Sequence, residues 1–71
     1  MYQLYSNETD LNFTIGPVLQ SVACDWARKT ARKKNDTLVL VDFDESTERT
    51  FYPDGTASDW RRALLSHRAL D

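Results

Sequence analysis

Five of the nine positive charges in this 71-residue chain fall between positions 28 and 34: Arg28, Lys29, Arg32, Lys33 and Lys34. A basic run on a helix can neutralise phosphates and give salt-dependent affinity for nucleic acid. It can also meet an acidic protein surface, or simply occupy a helix C-terminus, where the macrodipole favours cations. Two features weigh against nucleic acid. The net charge is −2, whereas nucleic-acid-binding domains are normally basic overall, and no aromatic residue interleaves with the cations to stack a base.

The second group of candidates is acidic: Asp42, Asp44, Glu45 and Glu48. The run Leu40-Val41-Asp42-Phe43-Asp44-Glu45-Ser46-Thr47 resembles the first motif of haloacid-dehalogenase-type phosphatases, an apolar strand ending in D-x-D and then a Thr. The resemblance implies a nucleophile at Asp42, a general acid at Asp44 and Mg²⁺ between them. It stops after these residues. The family's doubly wound parallel sheet, later Lys and further carboxylates have no room in this chain. Asp, Glu, Ser and Thr are also the residues a hairpin loop selects for turn reasons, and that reading is preferred. An EF-hand is excluded, because the sixth and twelfth positions counted from Asp42 are Thr47 and Pro53 where Gly and Glu are required. No metal or cofactor is expected.

Isolated reactive side chains add little. Cys24 has no neighbouring base to activate it and reads as a small buried thiol. His67 has no Cys or second His nearby for metal ligation. Trp26 and Trp60 both sit on stripes expected to face the core. Three N-x-[ST] triplets begin at Asn7, Asn12 and Asn35, and in a cytosolic chain they are coincidences of an Asn- and Thr-rich composition.

These residues must be positioned by a small set of elements. Leu38-Val39-Leu40-Val41-Asp42-Phe43 is apolar at both odd and even positions, which predicts a central strand covered on both faces. A polar loop after it leads to a second strand over Glu48–Tyr52, giving a hairpin. Tyr2–Tyr5 is expected as an edge strand beside that hairpin. Leu11–Ile15 alternates apolar with polar residues, as a strand extension or an ordered connection would.

Pro17 to Lys34 has helical spacing. Ile15, Leu19, Val22, Ala23 and Trp26 share an arc of roughly 100°, the width of a core-facing stripe, and Asn35 ends the run. Pro53-Asp54-Gly55 is turn chemistry. Ser58 then suits an N-cap, and Trp60, Ala63, Leu64 and His67 recur at the spacing of one face of a second helix. The fold expected is α+β in β-α-β-β-α order, a three-stranded mainly antiparallel sheet with two amphipathic helices.

One domain over residues 1–71 is the reading from length, and Gly and Pro, at two each, are too scarce for a linker. A single cysteine excludes an internal disulfide. The N-terminus lacks a secretion signal and no stretch could span a bilayer, so a cytoplasmic location without membrane association is expected. So short a chain has little stability to spare for a deep, water-excluded active site. The charges are bipolar, basic at the end of helix one and at Arg61-Arg62 and acidic at the hairpin tip, which suits a partner protein with complementary patches. The expected function is a small non-enzymatic protein-binding or regulatory module. The runner-up is a nucleic-acid-binding accessory protein using the basic helix end.

Overall fold

A computed structural model describes residues 1–63. The strand that organises it is β3 (Leu38–Asp42), whose five residues are all buried. Around it stand β1 (Tyr2–Ser6), β2 (Asn12–Ile15), β4 (Thr47–Phe51) and β5 (Arg61–Arg62), with one helix, α1 (Gln20–Lys34), between β2 and β3 in the chain. The sheet order is β2-β1-β3-β4-β5 and every neighbouring pair is antiparallel. The domain is thus α+β, with five strands and one helix among the described residues in place of three and two.

Side-chain alternation explains the unbroken apolar run of β3. Leu38 and Leu40 join Tyr2, Leu4 and Phe51 beneath α1. Val39 and Val41 point the other way and cluster with Ala63, with Tyr5 packed against them.

Tyr2–Ser6 is not at the sheet edge. It lies between β2 and β3, with Leu4 opposite both Phe13 and Leu40. The edge falls to Asn12–Ile15, because the polar Asn7–Asp10 segment folds back as a tight turn. Ser6 Oγ accepts the N–H groups of Glu8 (3.0 Å) and Thr9 (3.1 Å) there.

The helix begins three residues after Pro17, with Leu19 extended at its N-cap and no side-chain cap. It ends where expected. Asn35 takes a left-handed conformation (φ 52°), and the Asp36 N–H returns to the Ala31 carbonyl at 3.0 Å. Its buried face shares only Ala23 with the expected one. Ala23, Cys24, Ala27 and Ala31 meet the sheet, whereas Leu19, Val22 and Trp26 are 73%, 52% and 39% exposed. The stripe is rotated by roughly 100° from the bulky residues. Small side chains let the helix lie close to the sheet, whose own Leu4, Leu38, Leu40 and Phe51 fill the space between.

The turn at Pro53 forms as its residues predict. The Gly55 N–H donates to the Tyr52 carbonyl at 3.1 Å, and Gly55 has φ 95°, a conformation glycine adopts without strain. No helix starts at Ser58. The segment continues alongside β4: Phe51 bridges Ala57, the Ser58 N–H donates to the Thr50 carbonyl at 2.9 Å, and the Thr50 N–H donates to Ser58 Oγ at 3.0 Å. Ser58 Oγ, expected to cap a helix, is used by the sheet. Arg61 and Arg62 then pair with Glu48 and Thr47 as β5. The unpaired edge of β4 offers backbone partners that a short helical pattern does not outweigh. Leu64 and His67, the remainder of that expected helix, lie outside the described residues.

Candidate functional site

The rotation of α1 creates the site. With its alanines against the sheet, the flank carrying Val22, Trp26, Lys29 and Lys33 is turned toward the edge strand β2. Alternation along β2 puts Phe13 and Ile15 on the same side of the sheet as the helix, since they pair with Leu4 and Tyr2 of the core. The result is a groove between β2 and α1.

Phe13 stands edge-on to Trp26, with ring centroids 5.4 Å apart and planes at 74°. Such T-shaped pairs contribute about 0.5–1.5 kcal/mol beyond their burial. On one side of this pair an open cleft of about 450 Å³ is lined by Ile15, Val18, Val22 and Ala23 together with the two rings. On the other side, a space of about 290 Å³ joins the rings to Lys29, Thr30, Lys33 and Lys34. A third space, of about 370 Å³, continues past Phe13 to Leu11, Thr9, Lys34 and Asp36. Phe13 lines all three, so the groove runs from an apolar end to an end with three lysines and one carboxylate, Asp36, which accepts the Thr9 hydroxyl at 2.9 Å.

The five candidate cations do not form one surface. Lys29, Lys33 and Lys34 line the groove. Arg28 lies with its guanidinium carbon 5.9 Å from the Phe51 ring centroid, next to Arg49 at 5.4 Å. Arg32 runs past the Pro53–Gly55 turn, its Cδ 3.9 Å from where a side chain on Gly55 would begin. Lys29 is partnered by Asp25 at 3.0 Å, an exposed pair that contributes little. Among the described residues Lys33 and Lys34 form no ion pair.

Of the two carboxylates in the D-x-D run, Asp42 serves the hairpin. Asp42 is buried, and its Oδ1 accepts the N–H groups of Asp44 (3.0 Å) and Glu45 (3.3 Å), which fixes the turn. Asp44 is exposed with Oδ2 3.2 Å from the Met1 amino group, and Glu45 is exposed. Glu48 points to the face opposite α1 and binds Arg61. Among the described residues no group of three or more His, Cys, Asp or Glu could hold a metal ion. Cys24 is buried against the sheet, as expected of a small thiol. Trp60 is half-buried and packs on the core, whereas Trp26 faces solvent.

Sequence spacing puts Val22 and Trp26 in the core and marks Phe13 only as one alternating residue among several. The signal for the groove was the second stripe on the helix, Ala23-Cys24-Ala27-Ala31, whose low hydrophobicity hides it behind the bulkier neighbours. The absence of an aromatic platform is also corrected. Trp26 and Phe13 adjoin the lysines through the fold, although they are not interleaved with them in sequence.

No family model, curated protein or solved structure matches this chain. Among the described residues no helix is long and apolar enough to cross a membrane.

Proposed function

We propose that this protein is a non-enzymatic protein-binding module that holds its partner in the groove between β2 and α1. The observation that carries this reading is the Phe13–Trp26 pair, two large aromatic rings packed on each other at 44% and 39% exposure. Val18 and Val22 extend the apolar surface beside them. Aromatic anchors bordered by apolar side chains and rimmed by charge are the anatomy of an interface hot spot.

Nucleic acid is the second reading, and one observation favours it: the same rings adjoin Lys29, Lys33 and Lys34. The net charge of −2 and the diversion of Arg28 and Arg32 to the other side of the helix weigh against it. So does the larger share of the groove, which is apolar and offers phosphates nothing.

The test is a photo-crosslinking amino acid at Val22, with Asp59 on the β4–β5 side as control, irradiated in the native lysate with and without nuclease. A discrete protein adduct at Val22 that survives nuclease and is missing at Asp59 is expected. Adducts equal at both positions, or removed by nuclease, would sink the reading.

A further inference from the structure

Resting on that reading of the groove, we infer that the occupant is an extended polypeptide segment that adds a sixth strand antiparallel to β2, with apolar residues at its first and third positions and acidic residues at its fifth and seventh.

The edge of the sheet supplies the first part. Among the described residues β2 pairs only with β1. The Ser6 N–H donates to the Leu11 carbonyl at 3.1 Å. In an antiparallel ladder the backbone groups of one strand turn toward its neighbour at every second residue. Leu11, Phe13 and Ile15 therefore address β1, and Asn12 and Thr14 present N–H and C=O outward. Among the described residues no hydrogen bond takes up these outward groups. The available mode is strand addition, in which the main chain provides affinity and alternate side chains provide specificity.

The groove supplies the second part. Every other side chain of an added strand falls on the helix side of the sheet, beside Phe13 and Ile15. The helix runs antiparallel to β2: Ile15 shares a cleft with Val22, Phe13 meets Trp26, and Leu11 lies toward Lys34. Val22 to Trp26 is about 6 Å along the helix axis and Trp26 to Lys33 about 10.5 Å. Side chains on one face of a strand repeat about every 6.6 Å. The first two groove-facing positions thus sit at the Val22 and Trp26 levels. The next two fall within reach of Lys29, Lys33 and Lys34.

Direction follows. Antiparallel pairing is the more stable arrangement per residue, and a strand antiparallel to β2 runs with α1, from the apolar end to the lysines. The acidic positions are therefore C-terminal to the apolar ones. A second copy of this chain does not satisfy the pattern. Its own β2 would present Phe13, Ile15 and then Pro17 to the groove, with no acid for Lys33 and Lys34.

The experiment uses fluorescein-labelled heptapeptides in polarisation titrations against the full chain: Leu-Thr-Leu-Thr-Glu-Thr-Glu, its reversed order, and a version with Lys for Glu. The forward peptide should bind, and the other two should be weaker by about tenfold or more, since like charges face each other in one and the register fails in the other. The double variant Lys33→Glu, Lys34→Glu should prefer the Lys peptide. Thr14→Pro removes an outward N–H that no hydrogen bond uses among the described residues and is tolerable at an edge; it should weaken the forward peptide about tenfold, the cost of leaving a peptide carbonyl unpaired. If Thr14→Pro does not fold, N-methylation of peptide amides one at a time replaces it, and a loss confined to alternate positions is expected. The Asn12 and Thr14 amides should also gain hydrogen-exchange protection in the complex.

Equal binding of forward and reversed peptides overturns strand addition. So does a chain that dimerises in sedimentation and loses the dimer in Thr14→Pro, or a single-stranded oligonucleotide that outcompetes the forward peptide. A protein adduct at Val22 without peptide order dependence removes this inference and leaves the binding module standing. Failure of both removes both.

Discussion

Arg61 closes on Glu48 through two nitrogens at one oxygen: Nε and Nη2 lie 3.1 and 2.9 Å from Glu48 Oε2, and Nη2 also donates to Thr50 Oγ1 at 3.1 Å. The two residues are directly opposite in the β4–β5 register, so one side chain both pairs a buried carboxylate and holds a two-residue strand.

Arg61→Ala should cost about 1–3 kcal/mol, because it strands the Glu48 carboxylate without a partner. The lower end is expected, since Arg61 is half-exposed and water screens the pair. Urea denaturation gives the value, and in a Glu48→Gln background the same change should cost clearly less. Equal costs in both backgrounds would show that the pair is not what holds β5.

Ala27 identifies the true core face of α1. It is fully buried against the sheet, so Ala27→Leu should destabilise by about 1–3 kcal/mol or more through overpacking. Val22→Ser, at an exposed position of the expected stripe, should stay within about 0.5 kcal/mol. The reverse ranking in thermal melts would restore the stripe that spacing alone suggests.

Tyr2 predicts an alkaline weakness. Burial pushes its phenol above the usual tyrosine value, and the negative charge of Asp42 adds to this. The folded state therefore holds the proton more tightly than the unfolded chain. The associated stability is fully present below about pH 10 and is lost as pH rises through the folded value. Melts of the parent and of Tyr2→Phe between about pH 8 and 11 should diverge only at the top, the parent falling faster.

Oligonucleotide titration separates the two functional readings. Binding through Lys29, Lys33 and Lys34 would weaken with salt at a log–log slope of about −0.9 per phosphate neutralised on duplex DNA. We expect no micromolar binding at about 50 mM salt. Binding that disappears in Lys29→Ser, Lys33→Ser, Lys34→Ser would exchange the ranking.

The α+β class, the β3–β4 hairpin and the end of α1 were legible because their signals are local. The two-sided apolar run of β3, the polar loop after it, Asn35 at the end of α1 and the Pro53–Gly55 turn each depend on a few adjacent residues. What was not legible depends on contacts between distant ones. Alanines carry too little hydrophobicity to show which side of α1 meets the sheet. Trp60 and Ala63 keep helical spacing, yet the open edge of β4 draws Ser58, Arg61 and Arg62 into pairing. The groove was invisible for the same reason: Phe13 and Trp26 become neighbours only when β2 and α1 pack.

The pairing of β1 with β3 joins Tyr2 to Asp42, across a hairpin and a helix, whereas β1–β2 and β3–β4 are local hairpins. Closing so long a loop must be met before its contacts reward it, so the central ladder should be the slow step of folding. Until it closes, Leu38-Val39-Leu40-Val41 has an open edge and two uncovered apolar faces. That run is strand-forming, uncharged and free of proline, the profile of an aggregation nucleus. The strand that makes the finished domain cohesive is thus the one that makes the nascent chain vulnerable, and refolding yield should fall as protein concentration rises.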